Sequence, residues 1–173
     1  VSASAGGAEQ VGRVLPTADD TRELGRTLGG LLVAGDLVVL TGELGAGKTT
    51  FTQGLAEGLR VRGPITSPTF VIARVHPSLV GGPPLVHVDA YRLGGAAELD
   101  DLDLDESLEE SVTVVEWGHG LAEQLAEQFL EVVLERSDSE DGDQQERRVL
   151  LRGAGPRWAG LVAGLEVTRP GHG

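Results

Sequence analysis

One ten-residue stretch constrains this chain more than any other: GELGAGKTTF, Gly42 to Phe51. It follows a short apolar run, DLVVLT, and leads into TQGLAEGL. Gly42 to Thr49 fits the spacing G-x-x-x-x-G-K-[ST]. The glycines let the backbone curl so that its N–H groups point inward at an anion. The helix that follows presents uncapped N–H groups and its positive dipole end to the same anion. Lys48 is the only lysine, beside thirteen arginines. A compact ammonium on a flexible stem reaches between phosphates where a forked guanidinium does not fit, so an Arg-biased chain keeps Lys here. Loop residues Glu43, Leu44, Gly45, Ala46 and Gly47, with Lys48, Thr49 and Thr50, are the expected nucleotide contacts. The Thr49 hydroxyl is the expected Mg²⁺ ligand. The pattern identifies a phosphate site and leaves the reaction open.

The rest of the chain supplies the frame. Thr17 followed by Asp20 reads as a helix N-cap with its capping-box partner. Leu24, Leu28, Leu31 and Leu32 recur at helical spacing after it. DLVVLT (36–41), TFVIARVHP (69–77), PLVHVDAY (84–91) and VTVVEW (112–117) read as strands. RVLP (13–16) reads as a short edge strand. FLEVVLER (129–136) and RRVLLRG (147–153) read as a hairpin framing an acidic loop. GLAEQLAEQ and PRWAGLVAGL read as helices, and the acidic stretch 94–111 as partly helical. The expected fold is α/β: a largely parallel central sheet with antiparallel additions and helices on both faces, P-loop NTPase-like. One domain over 13–165 is expected, between loose tails at 1–12 and 166–173.

Composition narrows the function classes. The formal net charge is −13, from 14 basic and 27 acidic residues. Nucleic-acid affinity comes mainly from Lys and Arg on phosphates, so RNA is expected to be reached only through a partner, and DNA not at all. No run of about twenty apolar residues suggests a membrane span. The first residues do not read as a secretory signal, and there is no cysteine. A cytoplasmic protein is expected. The four histidines lack metal-site spacing, so no zinc is expected.

Two acids end apolar strands, where parallel-sheet sites collect their side chains. Asp89, ending PLVHVD, reads as a Walker B acid holding Mg²⁺ or as a turn cap. Glu116, ending VTVVE, reads as a metal ligand, as an orienter of the attacking water, or as a solvent-facing carboxylate. Thr66-Ser67-Pro68-Thr69-Phe70 reads equally as a switch-like loop sensing the γ-phosphate or as an ordinary turn. His87 reads as a packed strand residue, and Trp117 and Trp158 as core or lid packing.

Together GELGAGKTTF, ITSPTF, HVDAYRL, ELDDLDLDESL and VEWG occur in an order and spacing that resembles the TsaE (YjeE-type) family, over roughly residues 13–153. That resemblance implies a P-loop ATPase of tRNA threonylcarbamoyladenosine biosynthesis. It implies ATP and Mg²⁺ as cofactors and the TsaB–TsaD pair as partners. It implies phosphate and metal roles for Lys48 and Thr49, a switch role for Thr66, Ser67 and Thr69, and metal-side acids at Asp89 and Glu116. It places Thr17 and Arg147 near the nucleotide. The catalytic set so implied is Lys48, Glu116 and Asp89. One departure stands out: the family often continues E-W-x-E, whereas this chain has Glu116-Trp117-Gly118-His119.

A small-molecule kinase of shikimate-kinase-like type is the alternative. Such enzymes close a basic lid on the phosphates, but no Arg or Lys lies between Leu93 and Glu135. A regulatory GTPase reads guanine with N-K-x-D, and the chain contains no Asn.

Overall fold

The structure, a computed structural model, describes residues 9–43, 45–63, 65, 73–89, 108–116, 127–136 and 146–167. In chain order the elements are β1 (Glu9–Leu15), α1 (Ala18–Gly29), β2 (Leu37–Gly42), α2 (Lys48–Leu59), β3 (Ala73–His76), β4 (Leu85–Asp89), β5 (Val112–Glu116), β6 (Phe129–Arg136), β7 (Arg147–Ala154) and α3 (Pro156–Val167). Residues 120–126 of the helix expected over 120–128, most of the acidic stretch 94–111 and the start of the 69–77 strand lie outside the described residues; Glu127 and Gln128 are not helical.

The strands form one seven-stranded sheet in the order β1-β7-β6-β2-β5-β4-β3. Its centre, β6-β2-β5-β4, is parallel. The flanking strands β7, β1 and β3 add on antiparallel. This is the expected architecture, and burial explains its centre. Every residue of β4 and β5 is buried, which suits β-branched runs covered on both faces. Val38, Leu40, Val114, Val132 and Leu151 share a cluster with Leu24 and Leu28 of α1, Phe51 and Leu55 of α2, and Trp158 of α3. The alternate residues Val39, Val88 and Val115 are fully buried as well.

Local signals set most boundaries. The capping box forms: the Asp20 N–H donates to Thr17 Oγ1 at 3.2 Å, and the Thr17 N–H donates to Asp20 Oδ2 at 3.0 Å. The leucine spacing extends to Leu32, yet α1 ends at Gly29 with Gly30 as its C-cap. Two successive glycines are the weakest helix formers short of proline. Leu32 is nevertheless buried, while Leu31 is exposed. Strand β1 starts at Glu9, so residues 9–12, which composition places in a tail, pair with Leu150–Gly153 of β7. Of residues 10–12 only Val11 joins the core, and one apolar side chain is too little to mark a strand by composition.

Helices α1 and α2 approach unusually closely. Gly25 and Gly29 on one and Gly54 and Gly58 on the other face each other's backbones. A Cβ at any of the four would collide with a carbonyl of the opposite helix. At the rim of this contact Glu57 accepts from both Arg22 and Arg26. Helix α3 is tied down separately. Arg157 donates Nε to Asp36 Oδ1 and Nη2 to Asp36 Oδ2, both at 2.6 Å. No described helix is long and apolar enough to cross a membrane.

Candidate nucleotide site

Strand β2 delivers Gly42 to the C-terminal edge of the sheet, and α2 begins six residues later at Lys48. Between them Gly45 and Gly47 adopt φ values of +81° and +100°, which other residues rarely take. The Ala46 N–H donates to the Glu43 carbonyl at 3.0 Å, which closes the curl. Gly47 is the N-cap of α2 and offers no side-chain cap. The first-turn N–H groups of α2 therefore keep their donors for an anion.

Lys48 turns back across the loop and donates Nζ to the Gly42 carbonyl at 2.8 Å. It is 9 % exposed. Burial pushes its ammonium below the ordinary lysine value, and the fields of Glu116 and Asp89 partly restore it. Those acids are register partners at the ends of β5 and β4, 4 % and 8 % exposed respectively. Leu40, two residues before Gly42, pairs with Glu116. The sheet register thus brings loop, lysine and both carboxylates to one edge. The solvent-facing alternative for Glu116 is excluded by its burial. His87 stands behind them, fully buried, with Nε2 at 3.6 Å from Glu116 Oε2.

Arg147, at the start of β7, reaches the loop from the other side. It donates Nε to the Ala46 carbonyl and Nη2 to the Gly45 carbonyl, both at 3.1 Å. A small cavity opens between Arg147, Gly47 and Thr50 and the first turn of α1 at Ala18 and Thr21. Thr17 itself spends its hydroxyl on Asp20, at 2.8 Å. Beside Ala18, the residue of α1 that packs against the loop is Thr21, which sequence reading missed. Its only signal was its place one helical turn after the cap. Glu43 is exposed and takes part through its carbonyl. Leu44, Thr66, Ser67, Thr69, Trp117 and His119 lie outside the described residues.

Among the described residues no group of three His, Cys, Asp or Glu side chains converges as a ready metal cage. The donors near the loop nevertheless suit Mg²⁺. Buried carboxylates are costly unless paired or metal-bound. Asp89, Glu116 and the Thr49 hydroxyl are hard oxygen donors, and Mg²⁺ beside a nucleotide is held by one or two such groups plus phosphate and water.

Comparison with known proteins gives matches over most of the chain. The family model described as Threonylcarbamoyl adenosine biosynthesis protein TsaE matches residues 15–149. A Streptomyces coelicolor protein named tRNA threonylcarbamoyladenosine biosynthesis protein TsaE is 64 % identical over 139 residues, covering 80 % of this chain and 93 % of that protein. A Mycobacterium tuberculosis protein of the same name is 54 % identical over 134 residues, 73 % of this chain and 80 % of its own length. The crystal structure of Bacillus subtilis YdiB superposes with a TM-score of 0.71 at 33 % identity, covering 93 % of this chain and 97 % of that one.

Proposed function

The chain belongs to the TsaE family of threonylcarbamoyl adenosine biosynthesis proteins, and from that premise we propose that it binds and hydrolyses ATP with Mg²⁺. In doing so it supports threonylcarbamoyl modification of the adenosine beside the tRNA anticodon, acting on a TsaB–TsaD partner pair. The observation that carries the nucleotide reading is the placement of Lys48. A nearly buried ammonium rests on a loop carbonyl, with two strand-end carboxylates acting on it.

The chain's own residues divide the work by position. The Gly45–Gly47 curl and the first turn of α2 offer N–H donors to phosphate oxygens. Lys48 exchanges its Gly42 carbonyl for phosphate and neutralises charge that grows during phosphoryl transfer. Thr49, Asp89 and Glu116 are the groups that would hold the metal, which supplies charge neutralisation at the phosphates when bound. Glu116, the more buried acid and the one backed by His87, is assigned to the metal and its water. Asp89 would hold metal water or the switch loop. The acidity of the chain, −13 overall, supports contact with tRNA through the partners.

Calorimetric titration with ATP at saturating Mg²⁺ tests the site. Lys48→Ala is expected to weaken binding by roughly ten- to a hundredfold, the loss of a charge-assisted contact to phosphate. Equal affinity of the variant and the natural chain would remove the site. Capture of the TsaB–TsaD pair that differs between ATP and ADP tests the partner role.

A further inference from the structure

The loop is not held by its own turn alone. Gly45 and Gly47 carry positive φ, and such a glycine-rich segment loses much conformational freedom when it orders. Among the described residues its own bonds include the Ala46 N–H to the Glu43 carbonyl and Lys48 Nζ to the Gly42 carbonyl, and the second gives way when Lys48 turns to phosphate. Two further bonds come from Arg147, 101 and 102 residues away in sequence. The third guanidinium nitrogen, Nη1, donates to the Glu146 carbonyl at 2.9 Å. One planar group thus bridges the base of β7 and two successive loop carbonyls. Its Nε also packs 3.8 Å from where a Cβ of Gly47 would stand.

The direction of these bonds matters. In a planar trans peptide the C=O of one residue and the N–H of the next point opposite ways. With the Ala46 carbonyl turned to Arg147, the Gly47 N–H points away from Arg147. With the Gly45 carbonyl turned the same way, the Ala46 N–H points away too, and it is this N–H that meets Glu43. Fixing two carbonyls on one side therefore fixes the following donors on the other.

We propose that Arg147 is a positioning residue that clamps the phosphate loop in its binding shape, acting through the Gly45 and Ala46 carbonyls rather than on the nucleotide. The proposal rests on the nucleotide reading of the loop and adds what holds the loop ready. Lysine cannot replace the clamp, because a single ammonium lacks the rigid fork that spans two carbonyls.

The test compares the natural chain with Arg147→Lys and Arg147→Gln in three measurements. The first is amide hydrogen exchange without ligand. Exchange at Ala46, whose N–H meets Glu43, and at Gly47 is expected to speed up in both variants while that of β2 and β5 stays unchanged. The second is binding of inorganic tripolyphosphate, which has no base or ribose, and the third is binding of ATP. Both ligands are expected to weaken by a similar factor, roughly tenfold or more. Unchanged exchange with unchanged affinity overturns the clamp. Loss of ATP affinity with tripolyphosphate unaffected also overturns it, since Arg147 would then be touching the nucleoside. Failure of the natural chain to bind either ligand would sink the nucleotide reading, and the exchange comparison would then decide the clamp by itself.

Discussion

Lysine is rarely buried unless something pairs with it, and Lys48 is buried by design of the loop around it. Its neighbours divide unequally. Glu116 sits one register step from β2 and carries His87 at its back. Asp89 lies one strand further out. Removing a group that acts only in the transition state lowers turnover and spares binding. Glu116→Ala is therefore expected to keep ATP affinity within a few-fold at saturating Mg²⁺ and to lose partner-stimulated hydrolysis. Asp89→Ala is expected to lose hydrolysis and also to flatten the dependence of ATP affinity on Mg²⁺. Titrating both variants with ATP at several Mg²⁺ concentrations, beside turnover measurements, separates them, and normal turnover in Glu116→Ala would take it out of the site. At this scale the sequence was highly informative, since Lys48, Asp89 and Glu116 each end or begin an element whose hydrophobic pattern is plain. Thr21 and the carbonyl contacts of Arg147 were not legible. A residue facing a loop across space leaves no spacing pattern, and a side chain that grips backbone has no partner side chain to betray it.

The α1–α2 pair carries the molecule's least forgiving contact. Glycines inside helices cost about 1 kcal/mol relative to alanine, so four of them facing one another must return something, and they return backbone approach. Gly54→Ala would drive a methyl group into the Arg22 carbonyl. Such overpacking typically costs about 1–3 kcal/mol, against the small helix-propensity gain. Urea denaturation is expected to show a lowered midpoint with an unchanged slope, and a stabilised variant would contradict the close approach. Sequence reading recovered these helices and missed their contact, because an isolated Gly in a helical pattern looks like a breaker until its partner is known. The Glu57 carboxylate at the rim is held well below its ordinary value of 4.5, to about 2, by hydrogen bonds from Arg22 and then Arg26. A depressed carboxylate adds stability that is present above about pH 4.5 and lost as pH falls toward about 2. Glu57→Gln is expected to remove that part of the acid-unfolding slope. The groups are exposed, so the effect is modest and shrinks with salt; an identical acid profile would show that the pair contributes nothing.

At the scale of the whole molecule, the sheet order explains why the site stands where it does. The chain crosses from β2 through later segments to β5 and β4 on one side, and β6 pairs on the other side of β2. The phosphate loop thus emerges from the middle of the parallel strands, where acids from β4 and β5 and the arginine of β7 can reach it. The class of fold and the central strands followed from apolar runs bounded by turn residues. The strand order did not, because register and crossover are set by pairing across long separations. No arginine lies between Leu93 and Glu135 to serve as a finger from the middle segment. P-loop proteins without one turn over slowly until a partner completes the site, by ~10³–10⁵-fold in well-studied cases. On the proposed function, this loop is an ATPase site that a partner completes. Phosphate release from ATP·Mg²⁺ by the purified chain, with and without the TsaB–TsaD pair, tests it most directly. We predict slow release by the chain alone, strong stimulation by the pair, and neither with Lys48→Ala. Brisk release by the single chain that the pair leaves unchanged, or stimulated release that survives in Lys48→Ala, would contradict it.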